Sequence, residues 1–380
     1  MIYMDNAATS FPKPPEVIQA VTEALMAPAS PGRSGHAPSL AAARRIHKAR
    51  KNMARLFGLK DNSRLAFMAN ITWALNQALE GLGLKEGDHV ISSPLEHNSV
   101  ARPLSRLVRE KGIVWETVPV DGQGLSSPED FKKLLRPSTR LVAVNHASNV
   151  TGALSPAGEI KEAIGGVPLL LDTAQTAGAM DLSQAHLWAD MIAFTGHKGL
   201  LGPTGTGGLW VRPGLDLRPL ATGGTGSASE SLEHPDFLPD AFEPGTANTH
   251  GLAGLAAGTD FVLQTGPENI RQHELDLTDA FLAGLAAIDG LSVRGPAGRN
   301  NRVATVAVTA RGWSSSDLSA ALEREAGILT RAGLQCSPMS HRALGTLAEG
   351  GVTRFSFGYY NTMAEIKTAL ETLDKLAASR

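Results

Sequence analysis

Seven short apolar runs punctuate the first 211 residues, at 64–69, 89–93, 113–120, 140–147, 167–173, 189–196 and 206–211, and most are rich in β-branched residues. Between them lie stretches with helical spacing at 71–82, 99–112, 127–136 and 155–164, several opened by Ser, Asn or Pro. The alternation predicts an α/β fold in which a mainly parallel seven-stranded sheet is flanked by helices on both faces. Ligands bind such sheets at the strand ends, so the residues that follow each run are the first place to look for chemistry.

Beyond "GLAGLAAGTDFVLQTG" at 251–266 the pattern changes. A helix over 267–289, strands at 291–295, 302–310 and 352–358, a helix near 314–326 and a last helix from about Thr362 suit a smaller α+β domain. The expected division is a large domain at 15–258 and a small domain made of 1–14 and 259–380. Residues 220–237 are polar and rich in Gly and Ser, as in a mobile loop. With 35 Lys plus Arg against 37 Asp plus Glu, the net charge of −2 gives no field that favours nucleic acid or an anionic membrane. The first residues lack a basic region followed by an apolar one, and no apolar run has membrane-spanning length. A cytoplasmic protein acting on small molecules is the expectation, and its single cysteine, Cys336, cannot form an internal disulfide.

Lys198, in "TGHKGLLGPTGTGG", stands just past a buried-looking strand. Read alone it is a loop lysine, but an ammonium in a shielded pocket is costly unless it is paired or neutral. A lysine that condenses with a carbonyl cofactor removes that difficulty. Pyridoxal phosphate is such a cofactor, and each of its needs has a candidate. Asp172, ending "VPLLLD", suits the ring nitrogen. Thr72, at a helix start, and Thr195 and His197 beside the lysine suit the phosphate. His97 of "LEHNS" suits the ring face, and Asn149 and Gln175 suit the ring oxygen. Singly, each has an ordinary structural reading: a helix cap for Asp172 and Thr72, a polar loop group for the others. Together they follow successive strands and would line one edge of the sheet.

Those motifs, with "SNVTG", "DTAQ", "GHKGLLGPTGTG", "FEPGTANT", "RAGLQC" and "TRFSFGYYNT", resemble the cysteine desulfurase and selenocysteine lyase branch of the class V aminotransferases, enzymes of PLP fold type I. The likeness runs from "YMDNAATSFPKP" through "GRSGHAPS" to the last motif. It implies that Lys198 carries pyridoxal 5'-phosphate, that Asp172 pairs with its ring nitrogen, and that His97 stacks on the ring as a possible acid or base. It also implies that Ile71, Thr72, Thr195 and His197 hold the phosphate, with Asn149 and Gln175 on the oxygen side. Thr246 would reach the phosphate of a neighbouring subunit, hence a homodimer. Arg354 would grip the substrate carboxylate, with Arg331 also at the substrate, and Asn6, Ala7 and His36 at the entrance. Cys336 falls where the family's persulfide-forming cysteine lies, with His341 or Arg331 nearby to favour its thiolate. No metal is implied.

The resemblance makes the leading expectation a cysteine desulfurase that turns L-cysteine into L-alanine and passes sulfur through Cys336 to an acceptor such as a protein. Selenocysteine lyase, another β-elimination or a transamination would keep the cofactor and change the reaction. A non-catalytic scaffold is the third reading, although it has no use for Lys198 and Asp172 together.

Overall fold

The computed structural model describes residues 1–28, 30–31 and 35–379, so Gly32, Arg33 and Ser34 of "GRSGHAPS" lie outside the described residues. In chain order its strands are β1 (Ile2–Tyr3), β2 (Leu65–Met68), β3 (His89–Ser92), β4 (Val114–Thr117), β5 (Thr139–Asn145), β6 (Leu169–Asp172), β7 (Met191–Thr195), β8 (Gly207–Val211), β9 (Leu291–Arg294), β10 (Thr305–Ala310), β11 (Ile328–Leu329) and β12 (Thr353–Ser356).

The seven runs read from the sequence form one sheet of order β2-β8-β7-β6-β5-β3-β4. All neighbours are parallel except β8, which is antiparallel to β7 and β2. The link over 196–206 contains no helix, and parallel pairing of successive strands would need a crossover. Alternate residues face opposite cores. Val142, Leu169, Leu171, Ile192 and Phe194 pack on one face, while Val90, Leu141, Leu170, Met191 and Leu209 pack on the other. Burial on both faces explains why these strands read as unbroken apolar runs.

A separate antiparallel sheet, β12-β10-β9, carries the helices Pro267–Leu285, Ser315–Ala326 and Met363–Ala378 over a third core that includes Phe281, Val306, Leu322, Phe355 and Leu373. Met4 belongs to that same core and β1 pairs with β11, so the start of the chain is built into its last third. The helices that the sequence reading does not anticipate include Pro15–Leu25, Ala37–Leu56, Ala185–Trp188, Thr249–Thr265 and Pro338–Ala343. The first follows a proline cluster that reads as loop, and the second is dominated by Ala, Arg and Lys, which blur its apolar stripe. Among the described residues no helix is long and apolar enough to cross a membrane.

Candidate active site

The loops leaving β3, β5, β6 and β7 all emerge at the carboxyl edge of the sheet. They bring His97 and Asp172 within reach of the Lys198 charge, set Gln175 beside Lys198 in a cleft that Thr305 and Ser356 of the antiparallel sheet close from the other side, and place Asn149 against Arg354.

Lys198 lies in a turn whose carbonyl accepts from Ser10 Oγ at 2.9 Å and from the Leu201 N–H at 2.8 Å. Gly178 lets the loop after β6 press against that turn: a Cβ there would come within 2.2 Å of the Gly199 carbonyl oxygen. Burial brings the Lys198 ammonium down to about 8, with Asp172 opposing and Arg354 and Arg331 reinforcing the drop. Asp172 is buried at the end of β6, where its Oδ1 accepts the Ala174 N–H at 2.8 Å and burial pushes its carboxyl upward. The two groups lean on each other's charge.

His97 caps the helix Asn98–Lys111, its Nδ1 accepting the Ser99 N–H at 3.1 Å. Burial, then Lys198, Arg331, Arg102 and Arg354, hold its imidazole down at about 4, so it is neutral at ordinary pH. Behind it Glu96 is wholly buried, its Oε1 accepting from Ser93 Oγ at 2.6 Å and from the Asn145 N–H at 3.0 Å, while Oε2 has no partner among the described residues. Burial raises its carboxyl to about 8, and Asp172 adds to the rise.

Several features of the cleft fit a phosphate-bearing aromatic cofactor. Ile71 and Thr72 begin the helix Ile71–Gly81, whose first N–H groups have no acceptor within the helix. The cap is Asn70, which accepts from the Trp73 N–H, so Thr72 is not the cap and its side chain stays exposed. Gly207 lets that helix start sit against β8, since a Cβ would meet Asn70 Cα at 2.8 Å. His197 Nδ1 is buried without a partner among the described residues, and burial with the Lys198 and Lys13 charges lowers its imidazole to about 4. The Thr195 hydroxyl faces the Thr206 carbonyl at 3.4 Å. Gln175 donates to the Ala7 carbonyl at 3.1 Å.

Arg354, on β12, is 1% exposed, which removes the surface ion pair that it would otherwise read as. One guanidinium nitrogen meets Asp5 Oδ1 at 2.5 Å, another donates to the Asn149 carbonyl at 2.9 Å, and Nε is buried with no partner among the described residues. Asp5 escaped notice in the sequence, its only signal being its place beside "NAAT". Asn6 and Ala7 line the cleft with Lys198, but the Asn6 amide is spent on Ser356, Asn361 and Phe11.

Cys336 is exposed, unlike a cysteine that merely fills a core. Its Sγ lies 3.4 Å from an Arg331 guanidinium nitrogen, and its carbonyl accepts the N–H of Asn98, the residue after His97, at 2.8 Å. Gln335 and Cys336 both have left-handed backbones, φ +43° and +59°. Such a conformation costs a non-glycine residue about 1–3 kcal/mol and persists only where its surroundings force it. Asn149 supplies some of that force, donating to the Gln335 carbonyl at 2.7 Å and accepting from Ser337 Oγ at 2.8 Å. The expected place of Asn149 beside a cofactor oxygen thus comes with a hold on the cysteine turn that the sequence does not reveal.

His36 and His341 lie away from their expected places, whereas Thr246, expected at a neighbouring subunit's site, lies outside this cleft. His36 is exposed and caps the helix Ala37–Leu56 through the Ser39 N–H, away from the cleft. Thr246 is exposed and lines a different, largely apolar groove with Phe67, Trp73 and Leu220. His341 is fully buried and bonds Thr346 and Gln335 instead of the Cys336 thiol, because the helix Pro338–Ala343 turns it inward.

The family profile described as aminotransferase class-V matches residues 2–368. A protein of Methanothermobacter thermautotrophicus named "Probable cysteine desulfurase" is 33% identical, over 99% of this chain and 94% of that one. One of the same name from Pyrococcus abyssi is 33% identical, over 100% and 95%. Among solved structures, the apo cysteine desulfurase of Thermococcus onnurineus superposes with a TM-score of 0.93 at 30% identity, covering 100% of this chain and 95% of that one. An Escherichia coli cysteine desulfurase with an S-sulfonic acid gives 0.87 at 25% identity, covering 99% and 94%.

Proposed function

The chain belongs to the aminotransferase class-V family, and we propose that it is a pyridoxal-phosphate-dependent cysteine desulfurase in which Cys336 takes the sulfur. The observation that carries this reading is the meeting of two chemistries at one cleft: a lysine and a carboxylate buried together, and an exposed thiol beside an arginine whose charge also reaches that lysine.

Bound at Lys198, the cofactor would supply an electron sink for a carbanion at the substrate Cα. Asp172 would hold a proton on the ring nitrogen, and the N–H groups of Ile71 and Thr72, with Thr195 and His197, would hold the phosphate. Neutral His97 would cover the ring face, with Asn149 and Gln175 on the oxygen side. Arg354 would orient the substrate carboxylate with two parallel donors, which a lysine could not do, and Arg331 would flank it. Lys198, lowered toward neutrality, is suited to take the Cα proton near pH 8.

Cys336 would attack as thiolate, the form that is nucleophilic, with Arg331 beside its sulfur. A sulfur–sulfur bond forms as the substrate Cβ–S bond breaks with its electron pair kept on carbon. A proton then completes the methyl group of alanine, and the enzyme keeps a persulfide, so that thiol plus L-cysteine give persulfide plus L-alanine. The sulfur passes on to an acceptor. Residues 15–258 would hold the cofactor, while 1–14 and 259–380 bring Arg354 and Cys336. In a homodimer the exposed Thr246 would complete the partner's phosphate site.

Incubation of the protein with L-cysteine tests the reading. Alanine and sulfide should form in the wild type and stop in Cys336→Ser, with a persulfide mass on the wild-type chain only. Pyruvate and ammonia from both proteins would instead mean β-elimination.

A further inference from the structure

Behind the Cys336 turn stands a buried relay that the proposed chemistry does not itself use. Gln335 is 2% exposed, and its Nε2 donates to the carbonyls of Arg331 and Val352, each at 3.1 Å. Carbonyls only accept, so both amide protons are committed and Oε1 must be the atom 3.1 Å from His341 Nε2. That nitrogen therefore carries the imidazole proton, and His341 Nδ1 accepts from the Thr346 hydroxyl at 2.8 Å. The bonds run one way, from Thr346 through His341 and Gln335 to the Arg331 carbonyl. The same carbonyl accepts the Arg354 N–H at 2.8 Å, so the relay ends on the strand that carries Arg354.

We infer that Gln335 and His341 are positioning residues, which pin the left-handed Gln335–Cys336 turn to β12 so that the thiol and the Arg354 guanidinium share one rigid frame. Asn98 and Asn149 grip the main chain of the turn from the large sheet. The relay grips it from behind through the Gln335 side chain, alongside the main-chain bonds that join Gly333 to Val352 and Arg331 to Arg354. A turn with two left-handed non-glycine residues would relax on losing either hold, and an attacking atom displaced by about 1 Å can cost 10²-fold in rate.

The inference rests on Cys336 being the sulfur acceptor, and its test keeps the two claims apart. The holoenzyme with Gln335→Leu is assayed for alanine formation from L-cysteine and, separately, for exchange of the Cα proton of L-alanine in deuterium oxide, a reaction that needs Lys198 but no thiol. Alanine formation should fall about 10²-fold in kcat with KM for cysteine unchanged, while exchange stays within twofold of wild type. A general loss of packing would lower both. Cys336→Ser runs alongside. If it is inactive and Gln335→Leu turns over within twofold of wild type, the positioning role is overturned alone. If Cys336→Ser makes alanine at the wild-type rate, the sulfur-acceptor reading falls, and the positioning role with it. Should Gln335→Leu not fold, Thr346→Val removes only the hydroxyl beneath His341. A loss of alanine formation of at least threefold with intact exchange is then expected, and no loss overturns the inference.

Discussion

The turns that carry Lys198 and Cys336 are linked by Arg331, which lies beside the thiol and whose charge reaches the lysine, and they are built in opposite ways. The lysine's neighbours arrive on adjacent parallel strands, Asp172 closing β6 and Thr195 closing β7, and the lysine is shaped mainly by burial. The cysteine turn is held by Asn98 and Asn149 from the large domain and by Arg331, Gln335 and His341 from its own segment. One site is a product of topology and the other of side-chain networks. The lysine turn should therefore tolerate changes in its surroundings that keep the strands, whereas the cysteine turn should fail in steps as single hydrogen bonds are removed.

The largest effect expected on this contrast is Lys198→Ala. It should abolish visible cofactor absorption and lower both alanine formation and alanine Cα exchange by about 10³-fold or more, whereas losing the Cys336 thiol spares the exchange. A coloured, active Lys198→Ala protein would remove the lysine from the centre of the site. Next comes Arg354→Lys, which keeps a charge opposite Asp5 and loses the fork. The KM for L-cysteine should rise about 10- to 100-fold, the worth of a charge-assisted pair, and an unchanged KM would place the substrate carboxylate elsewhere.

The smallest effect lies behind His97, beside Asp172. Glu96 has its carboxyl raised to about 8 from an ordinary 4.5, so the stability it contributes is fully present below about pH 4.5 and lost as pH climbs through 8. Glu96→Gln is neutral at every pH. Thermal melts should show the variant gaining on wild type by a few degrees in Tm between pH 6 and pH 9. A gap that stays constant would mean that Glu96 is ionised in the folded protein at pH 6.

The alternation of strand and helix was enough to place His97, Asn149, Asp172, Gln175 and Lys198 together. Parallel strands with helical crossovers put every strand's carboxyl end on one edge, whatever the details of packing. The unbroken apolar runs carried the same information, because a sheet covered on both faces needs Leu170 as much as its neighbours Leu169 and Leu171. The lone cysteine was legible only through its motif. Nothing periodic in the chain announces that Asp5 pairs with Arg354, that Asn98 and Asn149 clamp the cysteine turn, or that His341 points away from the thiol toward Gln335. Those contacts join side chains and loops whose spacing in sequence bears no relation to their spacing in space. Hydrogen bonds of that kind are directional and short-ranged, so only the packed tertiary structure decides which of the available partners each group meets.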